Sequence, residues 1–457
     1  MNLAMKINPD NDSEKILRVV LLSRFPPDTN KIRNGVQAAS AYLLKGLSSI
    51  NNLDLHILTF RQPGWQGSNH YQYNQSKVHL LPPYPRFERL RDFHTYQRIL
   101  NQCLEEIHPD IIHVQGASSD ALVALRSGYP TVVTAHGIRR EEHKYYGSLG
   151  ERIRCYVDSR LTETRVMRHT RYLIAISQYM IQYFSPLLRK DIQYFFIPNA
   201  LDEAFFGLNI NDPQSKEGTT QNFILYAGRV SPLKRVMDIV QAFGLIQSEL
   251  PDVHINIAGD HNQETSYANS IRALIHHTGL GERVHLLGEL DQEGILQQFS
   301  QCSLFVLPSA QENAPMVIAQ AMAAGKAVVA TRVGGVPEML GENSERGLLV
   351  EPGDVNGLAH AILRLHADTE LRSRLGESAR QFALANYHQD QVAQRTYEVY
   401  QLVAEAERRP RVGHRRPSRR RAGDRRRRGG RGGGPEDPGD LGAPGDPGPA
   451  LRPRPSE

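Results

Sequence analysis

Cysteine is scarce, with three in 457 residues, at Cys103, Cys155 and Cys302. Their odd number and wide separation exclude a disulfide framework and offer no zinc-ligand spacing, which points to a reducing compartment. Long apolar runs are missing too. None approaches the ~20 residues that cross a bilayer. The stretch MNLAMKINPDNDSEKILRVV has no apolar core of the kind that directs secretion. The expectation is a soluble cytoplasmic protein, with membrane contact confined to its surface at the inner membrane face.

Positive charge is also lacking in the body of the chain. The formal net charge is +5, but from Arg408 onward fifty residues hold fifteen Arg against six acids, which leaves −4 for residues 1–407. Such a body has no global nucleic-acid signature, so no specific nucleic acid is expected as a partner. Residues 408–457 contain no Lys, Ile, Phe, Tyr, Asn or Gln and consist mostly of Arg, Gly and Pro. That composition cannot bury a core and predicts a disordered tail. Basic tails bind nucleic acid or anionic lipid. So sharp a shift also fits an out-of-frame or vector-derived end.

What the body does have is a repeated alternation of short apolar runs and helical periods. ILRVVLLS (16–23) is near-continuously apolar, the mark of a parallel strand buried on both faces. Asn34-Gly35 then opens VQAASAYLLKGL, which has helical spacing. Further strands are expected at 53–60, 110–114, 131–135, 172–176 and 194–197. Residues 61–95 read as a long loop, and 138–170 as a loop followed by a long helix. Turn chemistry at Pro198 to Asp202 marks a boundary. After a polar lead-in at 211–221, strands are expected at 223–227, 253–258, 283–287, 303–307, 327–330 and 347–350, with helical pattern from 354 to 409. The class is therefore α/β: two doubly wound Rossmann-like domains, 1–198 and 199–384, facing across a cleft.

Doubly wound folds place ligands at the carboxyl ends of their strands, and four candidates lie there. Gly35 lets a backbone amide approach a ligand closely, or simply caps a helix. His136, between a buried strand and Gly137, is the histidine of the eighteen best placed for function. Gly228, Arg229 and Lys234 surround Ser231-Pro232. Two cations bracketing a strand-to-helix turn can hold a diphosphate and offset charge on a leaving group, the alternative being a solvated basic turn.

The fourth candidate is PSAQENAPMVIAQAMAAGKAVVATRVGGVPEML (308–340). Asn313 and Pro315 read as a helix start and Gly325 as its end. Glu312 stands at the helix mouth and Gln320 eight positions on, about 12 Å away and roughly the length of a sugar diphosphate. A helix start presents bare amides and a positive dipole end to phosphate. The alternative is a plain amphipathic helix behind a strand.

With these residues together, the chain resembles a retaining glycosyltransferase of the GT-B fold, in glycosyltransferase family 4 (group 1), over roughly residues 16–407. The specific segments are AGRVSPLK (227–234), PSAQENAPMVIAQAMAAGKAVVAT (308–331), GGVPE (334–338) and GLLVEPGD (347–354), with HVQG (113–116), TAHG (134–137) and IPNALD (197–202) in support. The resemblance implies that Arg229 and Lys234 hold the donor's diphosphate and that Glu312 contacts the donor sugar. It implies that the turn Asn313, Ala314, Pro315, Met316 and Val317 meets phosphate and sugar through its amides. His136 would lie near the reacting sugar and Gly35 beside donor and acceptor, while residues 385–407 would cross back onto the first domain.

One position departs from the family pattern. The second acid of its glutamate motif, which binds the ribose hydroxyls, is Gln320 here. Losing a charge-assisted, bidentate acceptor costs about tenfold in donor affinity. The implied activity is transfer of a sugar from a UDP-, GDP- or ADP-sugar to a saccharide, lipid-linked or small-molecule acceptor, with retention and with neither metal nor cofactor. A nucleotide-sugar epimerase of the same shape, and a nucleotide-sugar-binding protein with little turnover because of Gln320, are the rival readings.

Overall fold

Unbroken apolar runs become strands buried on both faces, and in this computed structural model they assemble into two sheets. The structure describes residues 16–25, 32, 34–61, 67–85, 87–145, 148–208, 222–262 and 264–408. The first sheet contains β1 (Leu17–Leu22), β2 (Leu53–Phe60), β3 (His70–Tyr73), β4 (Ser76–Leu81), β5 (Ile111–Gln115), β6 (Thr131–Ala135), β7 (Tyr172–Ala175) and β8 (Gln193–Phe196), in the order β3-β4-β2-β1-β5-β6-β7-β8. The second contains β9 (Phe223–Ala227), β10 (His254–Ala258), β11 (Val284–Gly288), β12 (Leu304–Leu307), β13 (Val328–Thr331) and β14 (Leu348–Val350), in the order β11-β10-β9-β12-β13-β14.

β1 shows why such runs sit centrally. Val19 and Leu21 pack on one face with Leu44 and the late-chain Val399 and Val403. Val20 and Leu22 pack on the other with Tyr96, Leu100 and Leu104. Each fully buried side chain contributes roughly 1.5–3 kcal/mol, so a polar residue on either face would be costly. Strand order reverses between β1 and β5 in one sheet and between β9 and β12 in the other. Open α/β sheets take their ligands at these switch points.

Residues 61–95 depart from the expected loop. They contain β3 and β4, an antiparallel pair whose second strand lies parallel to β2. Asn74 makes the turn at φ 51°, a left-handed conformation that asparagine tolerates. The lead-in 211–221 lies outside the described residues. So does the tail expected from 408, apart from Arg408 itself, which ends a helix.

The chain leaves the first sheet after β8 and returns through the helices Thr369–Tyr387 and Gln389–Arg408. Where the two passages meet, the Leu201 amide donates to the Tyr387 carbonyl (2.8 Å) and the Gln389 amide to the Leu201 carbonyl (3.1 Å). The last helix packs against the helix Gly35–Leu47. A Cβ on Gly46 would lie 2.5 Å from the Gln389 carbonyl oxygen, so only glycine permits this approach.

Candidate active site

The basic turn follows β9. Gly228 has φ +150°, and a Cβ on Gly259, in the next strand's turn, would lie 1.8 Å from the Gly228 carbonyl oxygen. These two glycines let the loops after β9 and β10 stack. The Tyr226 hydroxyl donates to the Arg229 carbonyl (2.8 Å), and the Ala310 amide donates to the Leu233 carbonyl (2.8 Å). The second bond ties the basic turn to the loop after β12, across the switch point.

Lys234 and Glu312 meet there at 2.5 Å, and Ser309 Oγ donates to the same Glu312 oxygen at 2.7 Å. Thr331 in turn donates to the Ser309 carbonyl (2.6 Å). Glu312 is thus held by a cation and a hydroxyl, only 9% exposed. Arg229 is exposed and makes no ion pair with a described residue. Its guanidinium remains available to a ligand.

The helix after this loop is Met316–Ala323, with Pro315 as its cap residue and no side-chain cap. Asn313 therefore does not cap it, contrary to expectation. Its Nδ2 donates instead to the His136 carbonyl of the first sheet (3.2 Å). The atom that would cap a helix, Oδ1, is left without a partner, because the amide is turned toward the other sheet. Gly325, at φ +64°, follows the C-terminus as expected.

The GGVPE segment explains the loop's shape. Cβ atoms on Gly334 and Gly335 would lie 1.6 Å and 1.9 Å from the carbonyl oxygens of Glu312 and Asn313. The glycine pair lets backbone lie directly on backbone there. Gly35 lies opposite, with the site of a Cβ 3.7 Å from Met316 Cγ. Ala314 packs against the cores of both sheets, while Val317 and Gln320 lie on the helix, Gln320 being 9% exposed with no side-chain hydrogen bond to a described residue.

His136 directly follows β6, and its Nε2–H donates to Gln115 Oε1 (2.6 Å). That tautomer makes Nδ1 an acceptor, and Nδ1 is buried without a partner at hydrogen-bonding geometry. Burial pushes His136 down to about 4, against a weaker opposing pull from Asn199, so the ring is neutral near pH 7. Asn313 Oδ1 is a second buried acceptor without a partner. A bare buried acceptor such as Asn313 Oδ1 is costly unless a ligand supplies a donor.

Sequence reasoning singled out His136 but missed its support. Gln115 Nε2 donates to His113 Nε2 (3.2 Å), as does the Thr134 hydroxyl (2.7 Å). His113 Nδ1–H then donates to the Tyr400 hydroxyl (2.6 Å). Burial, then repulsion from His136, pushes His113 down to about 3. The period-2 pattern of HVQG shows His113 and Gln115 on one face of β5, but no local signal indicates Tyr400. Among the described residues, no group of three or more His, Cys, Asp or Glu side chains could hold a metal ion.

The two switch points thus face one another, with a basic turn and a buried acid on one side and a neutral histidine on the other. The profile of Glycosyl transferases group 1 matches residues 209–382, and that of Glycosyltransferase Family 4 matches residues 33–205. The chain belongs to the group 1, family 4-like glycosyltransferases, and its two sheets form the GT-B fold.

N-acetyl-alpha-D-glucosaminyl L-malate synthase from Bacillus anthracis is 28% identical over 231 residues, which is 50% of this chain and 58% of the relative. The chain thus spans little more than half of that protein. Glycogen synthase from Mycobacterium tuberculosis is 27% identical over 308 residues, 66% of this chain and 71% of that one. Among solved structures, sucrose-phosphate synthase from Thermosynechococcus elongatus superposes with a TM-score of 0.72 at 20% identity, over 85% of this chain and 100% of the other. Anabaena HepE in complex with UDP and glucose does so with a TM-score of 0.65 at 21% identity, over 84% and 99%.

Proposed function

We propose that the protein transfers a sugar from a UDP-, GDP- or ADP-sugar to the hydroxyl of a saccharide, lipid-linked or small-molecule acceptor, with retention of anomeric configuration. The observation that carries this is the Lys234–Glu312 pair at the β9–β12 switch point, with the exposed Arg229 on the same turn. Facing it are His136 and Gly35 of the first domain. The solved HepE with UDP-glucose and the starch synthase IV domain with ADP support a nucleotide-sugar donor.

Arg229, Lys234 and the amides at the start of the helix Met316–Ala323 would bind the diphosphate and stabilise it as it departs, without a metal ion. The bond from the anomeric carbon to the phosphate oxygen breaks as the acceptor oxygen bonds to that carbon on the same face. The acceptor's proton passes to the departing phosphate oxygen. Glu312, already held by Lys234 and Ser309, orients sugar hydroxyls and is not the nucleophile. Neutral His136 offers Nδ1 as an acceptor beside the reacting sugar.

Thermal-shift titration with UDP-, GDP- and ADP-sugars identifies the donor, because a bound ligand raises the melting temperature. Nucleotide release on adding acceptors then measures transfer. Donor binding with no release under any acceptor would support the binding-protein reading, which Gln320 motivates.

Among the described residues, no helix is long and apolar enough to cross a membrane. We place peripheral membrane contact on the helix Leu149–Asp158, which buries none of its residues. Leu149 is 72% exposed and Ile153 55%, beside Arg152 and Arg154. Apolar anchors with arginines suit an anionic lipid surface. The three free cysteines are compatible with a reducing cytoplasm. Sedimentation with phosphatidylglycerol-containing vesicles, absent with phosphatidylcholine alone, checks the contact.

A further inference from the structure

Glu142 ends the short helix Arg139–Glu142, which follows His136 and Gly137. Its side chain folds back over the end of β6, so that a Cβ on Gly137 would lie 2.9 Å from Glu142 Oε1. Gly137 leaves room for a carboxylate at the wall of the cleft. That carboxylate is half-buried and accepts no hydrogen bond from a described residue. The charges acting on it are Lys234, Arg139, Glu312 and Arg229, in descending order. No described cation lies within ion-pair distance of it, but Gly137 adjoins His136, whose carbonyl accepts from Asn313 beside Glu312 (3.2 Å), so this acid of the first domain stands at the wall opposite the basic turn.

The helix bearing Glu142 is itself held in place. Glu163, 3% exposed, accepts from the Arg139 amide (3.2 Å), and the Arg139 side chain pairs with Asp158 at 2.6 Å. Glu163 closes a π-helical turn, Ser159–Glu163, a feature often found at functional sites. The neighbouring Glu141 is engaged elsewhere, with Lys144 (2.6 Å) and the Tyr183 hydroxyl (3.1 Å). Of the two adjacent glutamates, only Glu142 faces the cations.

We propose that Glu142 is a counter-charge to the basic pair, acting on Lys234 and Arg229 across the cleft alongside Glu312 in the free protein and taking up a proton when a nucleoside diphosphate claims both cations. The inference rests on the reading of Arg229 and Lys234 as the diphosphate site. A carboxylate and a diphosphate compete for the same two cations, so one must lose them. Once they turn to the diphosphate, Glu142 keeps Arg139 alone. Burial, which already raises its carboxyl, and the negative charge of Glu312 then favour its neutral form. Protonation also removes a negative charge that would repel the donor.

The test is calorimetric titration of the full-length protein with UDP, GDP and ADP, in buffers of low and high ionisation enthalpy, at mildly acidic and mildly alkaline pH. The wild type should take up protons on binding the preferred nucleotide. Glu142→Gln should bind it roughly five- to tenfold more tightly, as expected for removing one partly screened charge, and without that uptake. Titration of the nucleotide's own phosphate is common to both proteins and cancels in the comparison. Glu141→Gln, on the same helix, should match the wild type. Equal or weaker binding by Glu142→Gln, or undiminished proton uptake, overturns the proposal. If the wild type binds a nucleotide and Arg229→Ala does not, the diphosphate reading stands whatever Glu142 does. If the wild type binds none of the three, both readings fall.

Discussion

Glu338 of the GGVPE segment accepts the backbone amides of both Gln178 and Tyr179, at 2.7 Å each. Those amides open the helix Gln178–Phe184 of the other domain, so a side chain of the second sheet caps a helix of the first. Glu338→Ala should cost about 1–2 kcal/mol, allowing for the partial exposure of the contact. Thermal denaturation reads the loss. Glu338→Gln retains one acceptor and should recover part of it, whereas equal melting of all three proteins would show the contact to be inert.

Arg229 and Lys234 should separate under substitution. Arg229 has no ion pair with a described residue, so Arg229→Ala should lower transfer at least tenfold, or about 1.4 kcal/mol, with the melting temperature unchanged. Lys234→Ala should lower both. It strips Glu312, 9% exposed, of its cation, at about 1–3 kcal/mol. Unchanged turnover in Arg229→Ala would sink the diphosphate assignment.

Gln320→Glu should tighten donor binding about tenfold, since a charge-assisted hydrogen bond to ribose exceeds a neutral one by roughly 1.4 kcal/mol. Calorimetry with the donor found by thermal shift decides it. Unchanged or weaker binding would mean that Gln320 does not face the ribose.

Glu163 adds a pH dependence. Burial, partly opposed by its bond from the Arg139 amide, raises its carboxyl from 4.5 to about 7. In the unfolded chain it ionises from 4.5 upward, while in the folded protein it stays protonated to about 7. The folded state therefore binds more protons, and stability falls as pH rises through that window, by about 3 kcal/mol at most. Glu163→Gln should flatten the decline in melting temperature between those pH values. An unaltered slope would assign the dependence to another group.

Much of this architecture is legible in the sequence, because parallel strands buried on both faces leave unbroken apolar runs, as at ILRVVLLS and FILYA. The β3–β4 pair is not. His70, Gln72, Lys77 and His79 interrupt its apolar positions, and its turn uses Asn74 without a glycine. The basic turn and Glu312 are legible because their chemistry is local to strand ends. Asn313 looks like a helix cap because nothing in the sequence indicates that His136 will lie across from it. Glu338, Tyr400 and Glu142 escape notice for the same reason: each acts on a partner in a distant element, and only the packed fold brings the two together.

The returning helix Gln389–Arg408 has a consequence for biosynthesis. It brings Val399, Val403 and Tyr400 to a sheet whose eight strands all lie before residue 197. As the chain leaves the ribosome, the outward face of the helix Gly35–Leu47 and the imidazole of His113 stay uncovered through the making of the whole second sheet. Domains usually mature in the order of their synthesis, but this first one can be finished only by nearly the last described residues. A nascent chain stalled before Tyr400 would present that apolar face to chaperones and proteases, so emergence of the returning helix acts as the checkpoint for folding of the earlier-made half.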